Sequence, residues 1–173
     1  MLKIYTKTGD SGNTRLWDGT LVRKDNPCIE TNGALDELNS AIGIARSIAP
    51  QSMKEELNRL QNNLTNLMAY IARGQKQYPA PPAAELEEWI DLIMAEFPPG
   101  NSFVNPGESQ TGAVLHLART IARRAERAAL PLIENGDAEP SAYQYINRLS
   151  DLLFALAHKA DAAATRDTLV KTP

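Results

Sequence analysis

Between Gln51 and Arg73 the apolar residues Met53, Leu57, Leu60, Leu64, Leu67 and Ile71 recur at alternating steps of four and three. A helix turns about 100° per residue, so this spacing draws all six side chains into one seam, which no strand could do. Gly74 follows as a C-terminal stop. The same period returns along the chain. Leu35, Leu38, Ile42 and Ala45 form a stripe over residues 32–48, which Pro50 closes. Leu86, Trp89, Ile93 and Phe97 form a shorter one, ended by the Pro-Pro-Gly-Asn at 98–101. A fourth helix is predicted from Ser109, a suitable N-cap, to about Glu134, with Val114, Leu117, Ile121, Ala125, Ala128 and Leu132 as its seam and Pro131 in its last turns. A fifth begins near Ser141 and packs through Ala142, Ile146, Leu149, Leu153, Leu156 and Ala160. Long helices with short connections predict an all-α, five-helix up-and-down bundle.

The 173 residues, 43% of them hydrophobic, suit one domain spanning 1–173. Residues 31–166 are the bundle, while 1–30 are rich in Gly, Thr, Asp and Lys and read as an irregular loop with at most one short strand. The net charge of -3 argues against a dedicated nucleic-acid binder. Cys28 is the single cysteine, which excludes an intrachain disulfide and a Cys-rich zinc site and fits a reducing compartment. The start "MLKIYTKTGD" has no apolar h-region, and no later run approaches the ~20 apolar residues of a membrane span. A cytoplasmic protein with neither nucleic acid nor membrane as partner is expected.

The stretch "YTKTGDSGNTRL" has glycines, hydroxyls and two cations but scarcely an apolar side chain. Such a turn suits a phosphate chain, because successive N–H groups form an anion-binding concavity. Gly9 and Gly12 lack Walker A spacing and no Gly-Lys-Ser/Thr follows, so composition alone leaves a phosphate cradle and an ordinary N-terminal loop both open.

On the fourth helix, His116, Arg119, Arg123, Glu126 and Arg127 form a stripe opposite the apolar seam. A solvated basic face is one reading. The other follows from like charges at i, i+4 and i+8, which cost roughly 0.2–0.5 kcal/mol per pair unless an anion lies between them; arginine's planar fork suits a carboxylate or a phosphate. Asn147, Asp151, Phe154 and His158 lie along the side of the fifth helix away from its leucines, and Asp36, Ser40, Gly43 and Ser47 line the first. These small residues predict neighbours on more than one side of the first helix, as in a symmetric oligomer, with Asp36 paired to an arginine of another helix or subunit. His116 and His158 are too isolated for a metal site and read as helix-face histidines.

In order and spacing, "YTKTGDSGNTRL" with "RKD", "LDELNSAIGIA", "ARTIARRAER" and "YINRLSDLLF" resemble the PduO-type ATP:cob(I)alamin adenosyltransferases over nearly the whole chain. The resemblance implies a five-helix-bundle homotrimer with active sites between subunits. It implies transfer of the 5′-deoxyadenosyl group of ATP to Co(I) of cobalamin or a related corrinoid, releasing triphosphate. Thr6, Lys7, Thr8, Gly9, Asp10, Gly12, Thr14 and Lys24 would wrap the triphosphate and its Mg²⁺, with Asp10 toward the metal; Arg123, Glu126, Arg127 and Asn147 would complete the ATP site. Asp36 and Arg119 would pair across the subunit interface. Phe103 and Val104 would meet the corrinoid, Phe103 by displacing its lower axial ligand to ease reduction to Co(I); by itself, Phe103 also reads as a loop anchor. Arg123, Asp36, Arg119 and Phe103 are thus the catalytic set. Asn105 and Glu108 depart from the family's usual apolar residue and glycine, Trp17 and Asn13 are unusual in the first loop, and Asn32 stands where an aromatic is frequent.

An electron-donating reductase and an adenosylcobalamin-dependent enzyme receiving the product are the implied partners. Two other classes compete: a non-catalytic carrier that binds nucleotide and adenosylcobalamin, and a structural trimer keeping the loop as a fold anchor.

Overall fold

The computed structural model describes residues 4–5, 7–73, 79–98 and 104–170. Five helices follow a small hairpin: α1 Pro27–Ile48, α2 Gln51–Arg73, α3 Ala83–Glu96, α4 Gln110–Glu134 and α5 Pro140–Val170. The expected bundle is what the chain forms.

The hairpin is a correction to the loop expected over residues 1–30. β1 Asn13–Arg15 and β2 Leu21–Arg23 pair antiparallel, Thr14 facing Val22. Their turn is held by Leu16 N–H on Thr20 O at 2.9 Å and by Thr20 N–H on Asp18 Oδ1 at 2.9 Å. Three-residue strands are too short to show a period. α1 also starts earlier than its apolar stripe, because the Asn26 side chain accepts from Cys28 N–H at 3.0 Å and Pro27 opens the helix. An N-cap followed by proline was the available signal.

The leucine seams of α1, α2, α3 and α5 are buried as their spacing predicts. α4 differs. Leu117, placed in its seam, is 55% exposed, whereas His116, placed on the opposite polar stripe, is 3% exposed. Val114 and Ala128 are only half-buried. α4 packs on both α1 and α5, so its buried arc is broad, taking in Leu115, His116, Ala118, Ile121, Ala122 and Ala125. A single seam describes a helix with one neighbour.

α1 and α4 run antiparallel. Thr31 Oγ1 donates to Ala128 O at 3.0 Å near one end and Thr111 Oγ1 to Ile48 O at 3.4 Å near the other. On another side of α1, Gln61 of α2 donates to Asn39 O at 3.0 Å, its amide nitrogen lying where a Cβ on Gly43 would be 3.1 Å away. The small residue at 43 therefore admits α2 of the same chain.

Candidate active site

The N-terminal loop has the turn geometry its residues suggest. Lys7 (φ 62°) and Gly12 (φ 80°) take left-handed conformations that reverse the chain, costly for lysine and free for glycine. Gly12 N–H bonds Gly9 O at 3.2 Å, and Lys24 N–H bonds Gly12 O at 2.9 Å, which ties the loop to the far end of the hairpin. Lys24 Nζ lies 3.1 Å from where a Cβ on Gly9 would stand. Glycine at 9 thus makes room for the lysine, and Lys7, Asp10 and Lys24 are all exposed. Thr8 is exposed and Thr14 half-buried. Thr6 lies outside the described residues.

The hairpin tip seats this loop at one end of the bundle. The Arg73 guanidinium stacks over Trp17 at 3.9 Å, and Leu16 and Trp17 share a 370 Å³ pocket with Cys28, Ile71, Leu132 and Asp137. Burial and the nearby Asp137 push the Cys28 thiol up, so it is an unreactive packing residue, as its isolation predicts.

On the α4 face the expected residues separate. Arg123 and Arg127 are exposed. Glu126 is half-buried and accepts from Asn147 Nδ2 at 2.7 Å and from Tyr143 OH at 3.4 Å. Arg148 donates to Asn147 Oδ1 at 2.8 Å and to Glu87 of α3 at 2.8 Å, so one polar chain crosses α4, α5 and α3. Tyr143, Arg148 and Glu87 were not read from the sequence, since nothing in their spacing joins three helices. Arg119 is half-buried, and its Nε is buried with no hydrogen-bond partner. Asp36 is exposed and meets no cation among the described residues of its own chain; the ion pair joining α1 to α4 is made instead by its neighbour Glu37 with Arg124.

His116 is not the satisfied helix-face histidine expected. Both ring nitrogens are buried without partners, and the ring meets Phe154 edge-on at 5.9 Å between centroids. Burial lowers its pKa, the charge of Arg119 lowers it further, and Asp161 opposes them. His158 Nε2 lies 3.3 Å from Pro98 O. Phe103 falls outside the described residues, and Val104 is 39% exposed at the start of the segment that leads into α4.

The pocket at the hairpin is not lined by Arg123, Glu126, Arg127 or Asn147. A 720 Å³ cavity between α2 and α3 is lined by Glu55, Arg59, Glu88, Trp89 and their neighbours, and none of the expected site residues lines it. Among the described residues no cluster of three His, Cys, Asp or Glu could hold a metal ion.

The model of the cobalamin adenosyltransferase family matches residues 4–160. The chain belongs to that family. It is 40% identical over 167 residues to the cobalamin adenosyltransferase of Cupriavidus metallidurans, covering 93% of this chain and 89% of that one. To the human corrinoid adenosyltransferase MMAB it is 36% identical over 171 residues, 91% of this chain and 68% of that protein. It spans only 53% of the PduO enzyme of Citrobacter freundii, at 38% identity. A PduO-type ATP:corrinoid adenosyltransferase variant from Lactobacillus reuteri, complexed with cobalamin and ATP, superposes with a TM-score of 0.86 at 34% identity, covering 94% of this chain and 96% of that one. No described helix is long and apolar enough to cross a membrane.

Proposed function

We propose that this chain transfers the 5′-deoxyadenosyl group of ATP to Co(I) of cobalamin or a related corrinoid. One observation carries the reading: the hairpin that carries the phosphate-suited loop shares a pocket with Leu132 of α4, the helix that also bears Arg123 and Glu126, and Glu126 is bonded to Asn147 of α5. A second copy, in a trimer, completes the site by setting the loop of one subunit against the helices of its neighbour. Asp36 and Arg119, neither of which forms an ion pair among the described residues, then pair across that interface.

The reaction forms a Co–C5′ bond as the C5′–O bond breaks, and triphosphate leaves with the electron pair. Co(I) is itself the nucleophile, so the protein needs no activated serine or cysteine. Its residues position and stabilise. Holding C5′ in line with cobalt makes the step effectively intramolecular, which removes roughly 7–11 kcal/mol in well-oriented cases. Lys7, Lys24, Arg123 and Arg127 stabilise the charge that builds on the departing triphosphate, and Mg²⁺, which Asp10 and the phosphates would hold, would add to that stabilisation. Phe103 and Val104 contribute the apolar wall on the corrinoid side. An electron-donating reductase supplies Co(I).

The test is to mix the purified protein anaerobically with Mg-ATP and chemically reduced cob(I)alamin, following the visible spectrum and assaying triphosphate. Adenosylcobalamin with one equivalent of triphosphate is the expected result. ATP binding without product would replace the enzyme reading by that of a carrier.

A further inference from the structure

Asp161 of α5 is 8% exposed, and its Oδ1 accepts a hydrogen bond from Ser109 Oγ at 2.7 Å. Ser109 is the N-cap of α4, and the same Oγ accepts the Gly112 amide at 2.9 Å. The carboxylate lies directly on Gly112, where a Cβ would stand 2.6 Å from Asp161 Cγ. Glycine is required here for close approach. A carboxylate over the first turn of a helix is also favoured by the unpaired amides and the helix dipole. Asp161, Ser109 and Gly112 therefore form a clasp between α5 and the start of α4.

The clasp holds more than the helix. The segment 104–108 is exposed throughout and runs straight into Ser109, where it is first fastened to another helix. We propose that Asp161 is a positioning residue for the corrinoid side of the site, fixing through Ser109 the direction in which Val104–Glu108 leave α4. This rests on the reading of Phe103 and Val104 as the corrinoid wall.

The test compares the unsubstituted protein with Asp161→Ala, Asp161→Asn and Gly112→Ala, measuring KM for cob(I)alamin and for ATP together with amide hydrogen exchange over residues 104–113. Asp161→Ala should raise the corrinoid KM about fivefold to tenfold, the effect of one lost hydrogen bond, with the ATP KM unchanged. Gly112→Ala, which displaces the carboxylate without removing it, should do the same. Asp161→Asn keeps an acceptor oxygen for Ser109 and should recover most of the loss. Amides of 104–113 should exchange faster in Asp161→Ala. An unchanged corrinoid KM in that variant, or an ATP KM rising in parallel, overturns the proposal. If the unsubstituted protein makes no adenosylcobalamin, the enzyme reading has failed and the corrinoid role falls with it. The exchange data then judge the clasp alone: unaltered protection removes it, and faster exchange confined to 104–113 keeps it as a fastening of α4.

Discussion

Asn147 donates its amide to Glu126 Oε1 at 2.7 Å, so two residues expected to touch ATP are first of all bonded to each other across α4 and α5. Glu126 thereby sets the rotamer of Asn147, whose Oδ1 is taken by Arg148. Glu126→Ala should lower stability by about 1 kcal/mol through the lost bond, and Tm by roughly 2–4 °C. It should also raise the ATP KM, while Glu126→Gln, which keeps an acceptor oxygen, should lose less of both. Calorimetry and steady-state kinetics on the two variants check this; equal losses would mean that the carboxylate acts by charge and not by orienting Asn147.

Asp36 and Arg119 give the assembly test. If they pair between subunits, removing one leaves the other unpaired in the interface, a loss of about 2–5 kcal/mol for a close charge pair. Arg119→Ala should dissociate the trimer in sedimentation experiments and reduce turnover with it. The double exchange Asp36→Arg with Arg119→Asp should recover part of the association. A trimer of undiminished stability and activity in Arg119→Ala would remove the pairing.

His116 gives a pH dependence. Burial, and then the charge of Arg119, hold its folded pKa below the ordinary 6.5. Below pH 6.5 the unfolded imidazole therefore binds a proton that the folded one resists, so the unfolded state binds more protons and stability decreases as the pH is lowered. The contribution is whole above 6.5 and is lost as pH falls toward and through the folded value. Tm measured between about pH 7.5 and 5 should decline less steeply in His116→Leu than in the parent. Parallel curves would show that other groups govern the acid limb.

Phe103→Ala should keep ATP affinity and lose most of the adenosylation rate, because an apolar wall bears on the corrinoid and not on the nucleotide. Isothermal titration with ATP beside single-turnover spectra separates the two. Retained rate would leave Phe103 as a loop anchor.

The five helices were legible because each carries its seam as a local period, and in α2 that period alone dictates which side faces inward. The N-cap at Ser109 and the proline at 131 in the last turns of α4 were legible for the same reason: they act within a few residues. α4 shows where local reading ends. Its sequence cannot state that two helices flank it, so Leu117 took the place in the seam that belongs to His116. The clasp was invisible too, since Asp161 and Gly112 meet only through the packing of α5 on α4.

What the sequence determined by itself is what short-range spacing encodes: the helices, most of their inner faces, and the residue types able to grip phosphate. The tertiary structure decided which polar groups are bonded to one another and which are buried without partners. Periodicity specifies one helix at a time, whereas burial and hydrogen bonding depend on how many neighbours each helix acquires.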